Sequence, residues 1–237
     1  MKRFFVFVLA ILSISTVGYS QLSIANLDMS KIPQRKIRAY LNMQSEHDIY
    51  LLSDFKASSY PGIHLPDYIS MENTYLVKED PDSLWHLYMN TSVSKSWSGK
   101  RFSFGLLYSK WSDKVRYNDE YFSSLVDTGQ VFFVNLRLLG GTVNFALGLE
   151  VVDIDIINKA ITFNYLESGK SQGQQIIQFF GTPEGYTKIV HFSNFKSDNP
   201  FRDKYLYPYF HTRVINEFHR NMSRRISNEK GYFKIMR

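Results

Sequence analysis

The sequence predicts an α+β fold in which a curved antiparallel sheet wraps around one long C-terminal helix. Three observations predict it. Strand-like segments follow one another from residue 102 to residue 195 with turn residues between them, the order that hairpin connections and antiparallel pairing produce. The chain then closes on a long amphipathic stretch. Two short helices stand between the first strand and the rest. An aromatic-rich sheet face needs a cover, and the closing helix is the one element large enough to provide it.

The elements justify themselves in order. Lys2 and Arg3 precede an apolar run from Phe4 to Ile14, and Gly18-Tyr19-Ser20 sets small residues before a cut at Gln21. Residues 1–20 therefore read as a secretory signal peptide, shorter in its apolar run than the ~20 residues a membrane span needs. The expectation is export to a bacterial periplasm or beyond. Residues 21–68 read as a helical and extended appendage, with a short helix over Ile32 to Leu41 opened by Pro33, then turns at Ser58 to Gly62 and at Pro66.

The main domain is expected over residues 69–228. Glu72 to Lys78 reads as its first strand. Asp80 is an N-cap with Pro81 at the first helical position, and Leu84, Trp85, Leu87, Tyr88 and Met89 give that helix a broad apolar face. Strands follow over Phe102–Tyr108, Gln130–Leu139, Val143–Val152, Ala160–Leu166, Gln174–Phe180 and Tyr186–Phe195, with Gly140-Gly141 as a hairpin turn. Residues 109–128 read as a polar loop with a short helix near Glu120 to Leu125. From Asp203, Phe210, Val214, Ile215, Phe218, Met222 and Ile226 recur at spacings that share one helical face, with Arg213, Arg220 and Arg224 opposite. Residues 229–237 read as a basic tail.

This order resembles the helix-grip superfamily of START lipid-transfer domains, polyketide cyclases and the birch-pollen allergen. Tyr75 to Trp85, with Asp80-Pro81 and Trp85, is similar to the superfamily's first strand and first helix start. Ile161 to Tyr165, Gly169 to Gly173, Ile189 to Ser193 and Lys196 to Arg202 resemble an uncharacterised bacterial family of such domains. The resemblance spans residues 69–228. It implies a cavity between sheet and helix that holds an apolar ligand, although some members have a filled core.

Composition narrows the chemistry. The 237 residues hold no cysteine, which excludes disulfide frameworks, zinc–thiolate sites and thiol nucleophiles. Gly169-Lys170-Ser171 lacks the earlier glycine of a P-loop, since position 164 is Asn, and there is no G-x-S-x-G elbow. His211 and His219 are eight residues apart on one helix, about 12 Å along its axis, so they cannot share an ion whose ligands lie about 2 Å away. No metal, cofactor or catalytic residue is assigned.

The remaining candidates line the expected cavity: His211, Phe210, Val214, Phe218, Tyr165, His191 and Glu150. His211 sits within the apolar stripe, where it either meets a ligand head group, acts as acid or base, or is satisfied by a sheet partner. His191 and Glu150 form an acid–base pair if both face inward, and lie on a solvated face otherwise.

The formal charge is +6. From residue 200 there are nine Lys/Arg against three Asp/Glu, which suits either an anionic membrane surface met by Arg213, Arg220 and Arg224 or a solvated helix face. Nucleic acid is not expected of an exported chain. The leading expectation is an exported protein that binds an apolar or amphipathic small molecule such as a lipid, without catalysis. The alternatives are a cyclase- or isomerase-like enzyme using His211 with a sheet carboxylate, and an envelope interaction protein with a filled core.

Overall fold

The computed structural model describes residues 21–60, 67–118, 125–225 and 233–236. The leader at 1–20, Pro61-Gly62, Pro66, most of the helix expected near Glu120 and the helix position Ile226 lie outside the described residues. The strands are β1 (Ile69–Val77), β2 (Phe102–Ser109), β3 (Lys114–Tyr117), β4 (Gln130–Leu138), β5 (Val143–Asp155), β6 (Ala160–Tyr165), β7 (Ser171–Gly181), β8 (Thr187–Ser197) and β9 (Phe233–Met236). They form one antiparallel sheet in the order β3-β2-β4-β5-β6-β7-β8-β1-β9. The helices are α1 (Arg35–Asn42), α2 (Pro81–Asn90), α3 (Val93–Ser96) and α4 (Tyr207–Ser223). This is the helix-grip arrangement the sequence implied: the curved sheet closes on α4, with α2 and α3 inserted after β1.

Local chemistry sets the boundaries. The Asp80 carboxylate accepts from the backbone N–H groups of Asp82 and Ser83 at 3.0 and 2.9 Å, so α2 starts where the N-cap signal placed it. The β4–β5 connection turns through Leu139, Gly140 and Gly141, all with positive φ. β3 and β9 are strands of four residues each at the two sheet edges, too short to leave a periodic signal. α1 starts at Arg35 rather than at the expected Ile32–Pro33, because Ile32 precedes proline and holds an extended conformation. The last helix opens with a π-helical turn over Arg202–Leu206, and its regular α part is correspondingly shorter than the sequence suggested.

The helices cover the inner face of the sheet, and the outer face is covered over β2, β4 and the adjoining parts of β5 and β6. On the inner face, α2, α3 and α4 pack against Tyr75, Phe104, Phe132, Phe163, Ile177 and Ile189. On the outer face, residues 21–60 bury Ile24, Leu27, Ile32, Ile37, Leu41, Leu52 and Phe55 against Leu106, Tyr108, Val131, Phe133 and Leu166. The segment expected as an appendage therefore builds a second core. It is tied down by backbone bonds from Ser58 to Tyr165 and from Glu167 to Lys56, and by the Asn164 amide, which donates to the Ser59 hydroxyl at 2.9 Å.

A β-bulge between Phe104 and Leu106 switches the facing of β2 in mid-strand, so Phe104 points inward and Leu106 outward. Gly105 lies at that bulge, and a Cβ there would collide with the Ile37 side chain of α1. Gly105→Ala is expected to lower stability by about 1–3 kcal/mol through overpacking. Denaturant midpoints check this, and an unchanged midpoint would show that α1 does not press on the bulge.

Candidate functional site

Alternation along β8 turns Thr187, Ile189, His191, Ser193 and Phe195 to the inner face, where the last three meet α4. Register sets Ile177 of β7 and Asn73 of β1 on either side of His191, and Gln175 and Met71 on either side of Ser193. Tyr165 at the end of β6 faces the same way. From above, α4 contributes Tyr207, His211 and His219, and α2 contributes Tyr88. The result is a belt of polar side chains inside an otherwise apolar layer.

Most of the belt is one chain of hydrogen bonds. Tyr88 Oη lies 2.8 Å from His219 Nδ1, and His219 Nε2 lies 2.8 Å from His191 Nδ1. His191 Nε2 lies 2.9 Å from Gln175 Oε1, and Gln175 Nε2 lies 2.7 Å from Tyr165 Oη. Tyr165 Oη in turn bonds Tyr207 Oη. The amide oxygen of Gln175 can only accept. His191 therefore donates from Nε2 and, being neutral, accepts at Nδ1. His219 must then donate from Nε2 and accept from the Tyr88 hydroxyl at Nδ1. One amide orientation thus fixes both tautomers.

Burial keeps these groups uncharged. It holds His211 and His219 down to about 3 and His191 well below the usual imidazole value, with the neighbouring histidines adding to the shift for His191 and His219. Burial pushes the Tyr165 hydroxyl up to about 12, and Tyr88 and Tyr207 well above the ordinary phenol value.

His211 stands apart from that chain. Its Nε2 lies 3.4 Å from Ser193 Oγ, and its ring stacks on Tyr207 at 4.9 Å. Its Nδ1 is buried without a hydrogen-bond partner, as is Nδ2 of Asn73. Close by, the inner-face residues Ile69, Met71 and Asn73 in the first half of β1 are only half-buried, whereas their neighbours Ser193 and His191 on β8 are fully buried. The layer is thus incompletely closed along β1. At its other end, Trp97 packs on Phe102, Phe132 and Phe218 with centroids 5.1–5.8 Å apart, and Phe132 on Phe163, filling the space under α3.

The structure brings His211, His191, Tyr165, Val214 and Phe218 together on the inner side. His191 is buried there, which corrects the solvated-face reading. Glu150 is not with them. It pairs across the sheet with Val131 and Asn164, whose side chains meet the N-terminal segment on the outer face, and its carboxylate accepts from Lys110 Nζ at 2.6 Å. The acid–base pair of His191 with Glu150 therefore does not form: the sheet lies between them. Phe210 is half-buried beside Tyr209 rather than part of the inner core, because it lies one position off the stripe that faces the sheet. Among the described residues no three His, Asp or Glu come together as a metal site.

Gln175, Ser193, Tyr88, His219 and Tyr207 were not among the candidates. The usable signal is parity: Gln175 lies two residues from Ile177 and Ser193 four from Ile189, so each shares the apolar face of its strand.

No protein-family model matches the chain, and no curated protein does. Solved structures with a similar shape include the ginseng major latex-like protein 151 from Panax ginseng, 13% identical, covering 67% of this chain and 97% of that one at a TM-score of 0.49. Truncated norcoclaurine synthase from Thalictrum flavum is 12% identical and covers 71% of this chain and 100% of that one at 0.49. Protein Ms6760 from Mycobacterium smegmatis is 10% identical and covers 74% of this chain and 96% of that one at 0.48.

Proposed function

We propose that this protein is an exported binder of an amphipathic small molecule, held between the sheet and α4 with its polar end against His211. The observation that carries the reading is the buried Nδ1 of His211, without a partner, beside the half-open inner face of β1. A buried polar atom left unpaired costs about 1–3 kcal/mol. A ligand hydroxyl, which both donates and accepts, completes either tautomer of His211, and Asn73 Nδ2 supplies a second donor. Ile69 and Met71 offer the apolar part of the same surface. A lipid or other hydroxyl-bearing hydrocarbon fits this chemistry, and no step of catalysis is assigned.

A second reading is an envelope interaction protein with a filled core, favoured by the aromatic packing under α3. Native mass spectrometry of protein purified from its own envelope separates the two. The binding reading expects a copurifying adduct whose affinity falls about tenfold or more in His211→Ala, the loss of one buried hydrogen bond. Protein that carries no adduct, or an adduct held equally well by His211→Ala, overturns it.

A further inference from the structure

The outward side of the last helix carries a pattern that the internal site does not use. Phe201, Tyr205 and Tyr209 are 62%, 56% and 51% exposed, with Leu206 beside them also exposed. The Phe201 and Tyr205 rings are 5.1 Å apart, and the π-helical turn carries this pair into α4, where Tyr209 follows four residues on. Basic groups border it. Lys204 Nζ lies 5.3 Å over the Tyr205 ring, and the Arg213 guanidinium 4.2 Å over the Tyr209 ring. Tyr205, Tyr209, Arg213, Asn216 and Arg220 follow at spacings of three and four, so aromatic and basic side chains share one stripe. Arg213, Asn216 and Arg220 also line a shallow groove with Arg101 and Glu217.

The described acidic groups of this stretch are engaged away from Lys204, Arg213 and Arg220. Asp198 pairs with Arg202 at 3.1 Å, Glu217 with Arg101 at 2.6 Å, and buried Asp203 accepts from the Ser197 backbone N–H at 2.8 Å. Each is held by the protein itself. Exposed aromatic rings beside exposed cations match the chemistry of a bilayer interface, where rings enter the headgroup level and cations meet lipid phosphates.

We propose that this stripe docks the protein on an anionic lipid bilayer, with Phe201, Tyr205, Leu206 and Tyr209 entering the interface and Lys204, Arg213 and Arg220 meeting the phosphates. The surface is separate from the internal polar belt, so it stands or falls independently of the ligand reading.

Vesicle cosedimentation tests it. The protein should bind phosphatidylcholine vesicles containing phosphatidylglycerol and leave pure phosphatidylcholine vesicles largely unbound, with binding weakened by salt. Arg213→Ala should lower partitioning about fivefold and Arg213→Ala/Arg220→Ala about 25-fold, from ~1 kcal/mol per cation near the surface. Tyr205→Ser/Tyr209→Ser should lower it about tenfold or more while the circular dichroism spectrum and the urea unfolding midpoint stay unchanged. Three results would overturn the proposal: equal binding to both vesicle types, binding indifferent to the tyrosine substitutions, or saturable binding of inorganic phosphate with no vesicle binding. The last would make the groove a site for free anions.

Discussion

Acidification from about pH 7.5 to about pH 5 is expected to lower the folding stability by about 4 kcal/mol, ~2 kcal/mol for each of His211 and His219, with buried His191 acting in the same direction. The cause is the polar belt. His211 and His219 hold folded-state values of about 3, and His191 is displaced in the same direction, against 6.5 for an exposed imidazole. The sign follows from the proton count. Below 6.5 the unfolded chain takes up protons that the folded protein refuses, so the three contributions are complete above 6.5. They are lost as the pH falls from there toward 3. A loss of this size is close to the low end of whole-domain stabilities, ~5–15 kcal/mol, so the protein should be far less stable in mild acid. Urea titrations across this range check the slope, and His211→Phe should reduce it by about one proton. A flat profile between pH 7.5 and pH 5 would mean that the histidines are solvated or charged in the folded protein.

His191→Ala is expected to cost about 5 kcal/mol. His191 stands in the middle of the hydrogen-bond chain, between His219 and Gln175. Its removal orphans a buried donor on His219 and a buried acceptor on Gln175, each worth ~1–3 kcal/mol, and leaves a void beneath α4. His219→Ala alone should be costly for a similar reason, since it orphans the Tyr88 hydroxyl. The double variant should cost less than the sum, because each single change destroys the same bond. Thermal or denaturant unfolding of the four proteins measures the coupling. A cost of less than about 1 kcal/mol for His191→Ala would show that water replaces the imidazole and that the belt is wet rather than closed.

Much of the architecture was legible along the chain because each signal was local. Asp80-Pro81 caps α2, Gly140-Gly141 turns β4 into β5, and the spacing of Val214, Phe218 and Met222 draws the buried side of α4. The site was legible in part. His211 was visible as a polar group in an apolar stripe, whereas the belt residues Gln175, Ser193 and Tyr88 come from three other elements. Nothing in the spacing of residues on one strand says which residue of another strand lies beside it.

What the sequence by itself determined is the order and type of the main elements, and hence an antiparallel sheet closing on a C-terminal helix. Local capping, turn chemistry and periodicity suffice for that. Which face of each strand is the inner one was decided by the tertiary structure. A strand buried on one side announces its orientation by alternation, but residues 21–60 cover part of the outer face, so strands such as β4 are buried on both sides and read as continuous apolar runs. Parity along β8 groups His191 with Ile189, but neither strand by itself says which face of β5 matches that face of β8, so Glu150 and His191 could be assigned to one face or to opposite faces. Cross-strand register sets them apart: Glu150 pairs with Asn164, Asn164 with Gln174 and Gln174 with Asn194, three positions from His191 on β8, so Glu150 turns to Lys110 and His191 to His219.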